Sequence, residues 1–146
     1  MAKVLEEAFD LQQESPDVTQ ANTTANLWGD LFLYQVPTGV AHVLKPEHTF
    51  GAYLKDTNGV VEVDTTQVKI EVRDSTQQER KTIFGPAIYK TVQEFQDKDL
   101  IAHLNVRETI YMREKMYIAI MVKAAVACSK DTSYFNLAIN RIRQTL

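Results

Sequence analysis

Residues able to do chemistry are present in this chain of 146 residues, but the sequence does not group them. Cys128, the single cysteine, lies in the small apolar run Ala124-Ala125-Val126-Ala127-Cys128. It cannot form an intrachain disulfide, and there it packs as a small hydrophobe. A nucleophilic role needs a histidine brought beside it by the fold. His42, His48 and His103 stand singly and share no ligand spacing with each other or with Cys128. The close His-x-His pattern of cupin-type metal enzymes is absent. Asp56-Thr57-Asn58-Gly59, with Glu62 and Asp64 downstream, offers oxygen ligands for calcium. The third acidic position and the closing Glu of an EF-hand loop are missing, however, and a tight turn explains the same residues. Serine-nucleophile motifs, Gly-rich phosphate loops and paired cysteines are also missing. The expectation is a protein that is not an enzyme and holds no cofactor or metal.

Residues suited to recognition are easier to find. Residues 1–30 carry six acids (Glu6, Glu7, Asp10, Glu14, Asp17, Asp30) against Lys3, a balance of −5, while the remainder is +2. That is too weakly basic for nucleic acid, which needs a basic stripe with stacking aromatics nearby. An acidic segment beside a mildly basic body suits docking between copies, or simply solubility. Arg141 and Arg143 close the chain with no acid nearby in sequence, so they are candidates to meet the acidic segment of another copy. Trp28, alone in a polar stretch, either plugs its own domain or anchors the segment in a partner's pocket. The six tyrosines (Tyr34, Tyr53, Tyr89, Tyr111, Tyr117, Tyr134) could include a sugar-stacking platform, though strand tyrosines are more often half-buried packing. The candidate interface residues are therefore Leu5, Phe9, Trp28, Arg141 and Arg143.

The elements that must position these residues are read from periodicity. Gln67 to Asp74 alternates without a fault, with Val68, Ile70 and Val72 on one face and Lys69, Glu71 and Arg73 on the other: a strand with one side buried and one side wet. Similar runs predict strands at Leu31–Val36, Val40–Leu44, Phe50–Lys55, Val60–Val63, Lys81–Phe84, Ala87–Phe95, Leu100–Asn105, Thr109–Met112, Met116–Lys123 and Tyr134–Ile142. Asn58-Gly59 is the strongest hairpin signal, and Thr109–Met112 is expected to pair with Met116–Lys123 across Arg113-Glu114-Lys115. The fold class is all-β: an antiparallel, jelly-roll-like sandwich over residues 31–146, with an immunoglobulin-like sandwich second. Residues 1–30 read as an extended N-terminal arm starting in a short helix, since Leu5, Ala8 and Phe9 share i, i+3, i+4 spacing. The arm is either a disordered tail, a segment ordered across a neighbouring subunit, or a helix folded back on its own domain. Removing it is expected to leave the sandwich folded. Apolar content of 45% and charged content of 24% exclude wholesale disorder, no apolar stretch has the roughly 18 residues of a spanning helix, and the acidic start argues against a secretory leader.

Tyr34-Gln-Val-Pro37-Thr-Gly39, then Phe50-Gly-Ala-Tyr-Leu-Lys-Asp56 closing on Asn58-Gly59, then Val68-Lys-Ile-Glu-Val-Arg-Asp74, resembles the small jelly-roll auxiliary proteins that decorate or cement capsids of tailed viruses. Arg80-Lys-Thr-Ile-Phe-Gly85-Pro86 and the last run with Phe135 and Leu137 are similar too, so the resemblance covers about residues 31–146. It implies a non-enzymatic virion protein made in a host cytoplasm. Its partners would be a major capsid protein or other virion subunits and its own copies, often as a trimer, with neither nucleic acid nor membrane. A receptor- or glycan-binding head module of a fibre, tail or adhesin is the alternative.

Overall fold

Strand β6 (Gln67–Arg73) buries the apolar side of its alternation, with Val68 and Ile70 fully buried and Val72 nearly so, but Glu71 and Arg73, on the face expected to be wet, are buried too, beneath partners that close over them. The computed structural model describes residues 3–59, 66–89, 102–104, 106 and 108–145. Around β6 run β1 (Lys3–Gln12), β2 (Val18–Gln20), β3 (Gly29–Gln35), β4 (Val40–Leu44), β5 (Thr49–Tyr53), β7 (Arg80–Ile88), β8 (Ala102–His103), β9 (Ile110–Met112), β10 (Tyr117–Lys123) and β11 (Tyr134–Thr145). They form two antiparallel sheets.

One sheet is ordered β2-β3-β10-β6-β7. The other is built on β11, which carries β1 along one side, from Lys3↔Thr145 to Gln12↔Asn136. Its opposite side is shared by two strands: β4 pairs with Asn140–Arg143 and β5 with Tyr134–Ala138. β4 and β5 are thus one track broken by the turn 45–48, where the His48 amide donates to the Lys45 carbonyl at 3.0 Å. β9 and β8 form a second broken track, pairing with β4 and β5 respectively. Counting broken tracks once and setting short β2 aside gives eight strands in orders 1-8-3-6 and 2-7-4-5, the double Greek key of a jelly roll. The inner faces interleave as a sandwich core must. Ile118, Ile120 and Val122 of β10 and Phe135, Leu137 and Ile139 of β11 belong to one buried cluster, with Phe32 against Phe135 at 4.8 Å and Phe50 against Phe84 at 5.3 Å.

The all-β antiparallel sandwich is as expected, and β4 has the expected bounds; three local expectations are corrected or fall elsewhere. The N-terminal helix is a strand. Burial over residues 6–12 alternates, with Glu7, Phe9 and Leu11 turned inward and Leu11 wholly buried, because a ten-residue ladder on β11 satisfies a backbone that a short isolated helix could not hold. Second, β9 and β10 do not pair. They lie in different sheets, and the turn between them, with Lys115 at φ 72°, is a corner between layers tied to β3 by hydrogen bonds from Lys115 to Val36 and from Val36 to Met116. Third, the Asn58-Gly59 turn forms, with Gly59 at φ 80° donating to the Asp56 carbonyl at 3.0 Å, but the returning run Val60–Val63 lies outside the described residues. So does most of Ala87–Phe95.

Within the expected arm, more than β1 is tied to the sandwich. β2 pairs with β3. The polar stretch after it is stitched to the 124–130 loop: the Thr23 amide donates to the Cys128 carbonyl at 3.2 Å, the Cys128 amide to Thr23 Oγ1 at 2.8 Å, and the Asn26 amide to the Ala124 carbonyl at 2.7 Å. The Thr23 side chain, and that of Asn22, which accepts from the Lys130 amide at 2.9 Å, serve here as backbone partners, the role their chemistry favours in irregular chain. Cys128 is fully buried, with its Sγ 3.4 Å from the Lys55 carbonyl.

Candidate functional site

Four of the five candidate interface residues converge on the seam between β1 and β11. Antiparallel register sets Leu5 opposite Arg143 and Glu7 opposite Arg141, and Phe9 follows on the inward face of β1. Arg141 in turn faces His42 on β4, and His42 faces Met112 on β9. One inward row of four strands therefore reads Glu7, Arg141, His42, Met112. The Glu7 carboxylate accepts from Arg141 Nη2 at 2.5 Å and from Arg143 Nε at 3.1 Å. Both arginines thus meet the acidic segment of their own chain. Lys45 adds a longer contact to Glu6 at 3.8 Å. The Leu5 backbone belongs to this ladder.

Planar groups stack through the row. The Arg141 guanidinium lies 4.9 Å from the Phe9 ring centre, Phe9 lies 5.1 Å from His42, and His42 meets Tyr34 edge-on at 5.4 Å. Tyr34 belongs to the opposite sheet, so its Oη to His42 Nε2 contact of 2.7 Å spans the sandwich. His42 Nδ1 lies 3.3 Å from the Asn140 carbonyl. A neutral ring with its proton on Nδ1 satisfies both: Nδ1–H donates to the carbonyl and Nε2 accepts the Tyr34 hydroxyl proton. Burial lowers the His42 pKa to about 4, against the help of the Asn140 carbonyl and with a small push from the Arg141 charge. Burial, with Asp17, pushes Tyr34 up to about 12. Glu7 is held below the usual carboxylate range, first by its hydrogen bond from Arg141 and then by the charges of Arg143 and Arg141.

Chemically this row is a clasp. His42 has no exposed surface and engages both ring nitrogens, and the partly exposed Glu7 carboxylate is paired with two guanidiniums. Sequence reasoning singled out Phe9, Arg141 and Arg143 but missed Glu7 and the Tyr34–His42 pair. The one signal for Glu7 was an acid interrupting the alternation Leu5, Glu7, Phe9, Leu11.

A second polar cluster covers the outer face of the other sheet. Arg73 is 1% exposed; its Nη1 and Nη2 each donate to Asp30 at 2.7 Å, and Glu71, Gln77 and Met121 Sδ complete its surroundings. Glu71 also faces Lys69 at 3.4 Å and Arg80 at 3.7 Å. Trp28, the fifth candidate, lies here: Lys69 Nζ sits 4.5 Å above its half-buried ring. Its own domain thus covers part of the ring. Tyr53 and Tyr134 stack across β5 and β11 at 5.2 Å, with Tyr134 half exposed. Among the described residues, no group of three His, Cys, Asp or Glu could hold a metal ion, and no helix is long and apolar enough to cross a membrane.

No protein-family model and no curated protein sequence matches this chain. Solved structures do. VP17, a capsid protein of bacteriophage P23-77, superposes over 100% of this chain and 100% of its own, at a TM-score of 0.69 and 7% identity. The complex of VP16 and VP17, the two major capsid proteins of the same phage, matches over 96% of this chain and 99% of the compared chain, at a TM-score of 0.66 and 8% identity. At such identities the likeness is one of fold. The chain thus has the jelly-roll fold of phage capsid proteins, matched end to end.

Proposed function

We propose that this protein is a non-enzymatic structural component of a virion, joining a capsid through contacts with its own copies and with other virion subunits. The observation that carries this reading is the end-to-end match of fold to VP17, a capsid protein. VP17 forms a complex with a second capsid protein, VP16, and by the same logic a second virion subunit is a natural partner here. Decoration or cement of an existing shell, as a trimer, is the narrower form of the proposal. In either form the mechanism is distributed binding, in which modest contacts repeated on a symmetric lattice add up to high avidity.

The test is proteomic and structural. Particles purified from a culture that makes this chain are stripped by stepwise lowering of ionic strength, then followed by mass spectrometry and electron microscopy. A decoration or cement protein leaves while the shell stays closed, whereas a shell subunit leaves only as the shell falls apart. Absence of the chain from the particles overturns the proposal. A glycan-binding head is the second reading, favoured by the exposed face of Tyr134 in its stacked pair with Tyr53. A glycan-array signal that vanishes in Tyr134→Ala supports it.

A further inference from the structure

We propose that Asn58-Gly59 is a self-modifying turn: the Gly59 amide nitrogen attacks the Asn58 carboxamide carbon, ammonia leaves, and water opens the succinimide so formed to aspartate or isoaspartate. The step needs no enzyme, cofactor or redox partner. It needs an asparagine followed by an unhindered amide, in backbone able to rotate until that nitrogen reaches the carboxamide carbon. Asn22, Asn26, Asn105, Asn136 and Asn140 are followed by Thr, Leu, Val, Leu and Arg, whose side chains crowd the attacking amide. Ladders on both sides of β11 also hold the backbone at Asn136 and Asn140, and Asn22 Oδ1 is engaged by the Lys130 amide at 2.9 Å. Asn58 differs in each respect. It and Gly59 are exposed, and Gly59, at φ 80°, has open space where a Cβ would stand.

The geometry also sets what must move. The Gly59 amide donates to the Asp56 carbonyl at 3.0 Å, and the Asn58 amide to Asp56 Oδ1 at 2.8 Å. The first of these bonds occupies the nucleophile, so it opens before the ring closes. An exposed turn bond of this kind belongs to the part of a fold that opens most readily. The chain on the near side of the tip is held separately, by the Thr57 amide on the Ala127 carbonyl at 2.9 Å and the Ser129 amide on the Lys55 carbonyl at 2.8 Å. Conversion is thus confined to the tip and leaves the roll closed. The product exchanges a neutral amide for a carboxylate close to Asp56, and isoaspartate also reroutes the main chain through the former side chain. That charge arrives at an end of the roll whose loops 21–28 and 124–129 hold no acid or base and expose Leu27 and Val126. Age therefore changes the charge of this end while the encoded sequence stays the same.

The experiment is peptide mapping by mass spectrometry on the full chain, sampled over time at pH 7 and pH 9, with circular dichroism following the folded state throughout. The peptide holding Asn58 is expected to gain the mass difference between an amide and an acid, as a mixture of aspartate and isoaspartate. The gain is expected to be faster at pH 9, because the amide attacks as its anion. Asn22 and Asn26, also exposed, are expected to stay unconverted over the same time. In Asn58→Gln the gain is expected to vanish, since the longer side chain must close a larger and less favoured ring. An Asn58 that stays unconverted in the folded chain, or converts no faster than Asn22 or Asn26, overturns the proposal. Conversion to aspartate without isoaspartate overturns it as well, because direct hydrolysis then replaces attack by Gly59.

Discussion

Deleting residues 1–12 discriminates sharply between a strand of the roll and an arm that only decorates it. Leu11 has no exposed surface and sits in the core cluster; removing such a leucine costs about 3 kcal/mol. Phe9 packs on the core and stacks on His42 and Arg141; its partial burial and ring contacts contribute about 2 kcal/mol more. The two side chains alone thus remove about 5 kcal/mol, before the lost ladder on β11 is counted, from a total that for domains is typically about 5–15 kcal/mol. For a chain of this size, 1 kcal/mol corresponds to about 3 °C in Tm. Leu11→Ala is therefore expected to melt about 9 °C below the full chain by circular dichroism or calorimetry. The deletion is expected to melt at least about 15 °C lower, or to lack a cooperative transition. A deleted chain that melts cooperatively within about 3 °C of the intact one refutes this account and restores residues 1–30 as a separable arm whose role lies in assembly.

Three further outcomes are expected. Arg73→Ala leaves Asp30 without its paired donors and empties the space of a side chain that is 1% exposed, costing about 3 kcal/mol in urea unfolding, while Arg80→Ala, at the exposed rim, costs less than about 1 kcal/mol. Gly85→Ala costs at least about 2 kcal/mol in the same assay, since Gly85 has φ 76° and a Cβ there would lie 2.4 Å from the Val68 carbonyl oxygen. Because the folded pKa of Tyr34 is raised from 10 to about 12, its contribution is complete below pH 10 and is lost as pH climbs through 12. Unfolding at pH 11 should therefore show about 1.4 kcal/mol less stability than at pH 9, a difference absent in Tyr34→Phe.

Strands whose alternation is decided by the core were legible from residues alone. Val68, Ile70 and Val72, or Phe135, Leu137 and Ile139, could only face one way, and the jelly-roll class followed from their number. β1 was not legible, because Glu7 stands where an apolar residue belongs and Arg141, which accommodates it, lies 134 residues away. The β9 to β10 corner was misread for a different reason: a polar turn with a positive φ serves a hairpin and a crossing between sheets equally well, and only the partners decide. Lys69, Glu71 and Arg73 read as a solvated face, yet Asp30 and the 74–79 loop close over Arg73. Linear sequence gives no sign of such a cover. Leu5, Phe9, Arg141 and Arg143 stood out by residue type, while their convergence on one seam needed the register of β1 on β11, and Trp28 lies apart from it on the other sheet.

That register also governs when the protein can become complete during its synthesis. β1 leaves the ribosome well before its partner β11, and at ordinary elongation rates the separation of 134 positions between Glu7 and Arg141 takes roughly ten seconds to make. Through that interval the early strands wait with their longest-range pairing unmade, the situation in which loop-closure entropy slows folding most. Acidic residues at Glu6, Glu7 and Asp10 suit this wait, since charge on an unpaired strand discourages it from joining the wrong neighbour. The second sheet thus closes only once β11 has emerged to receive β1.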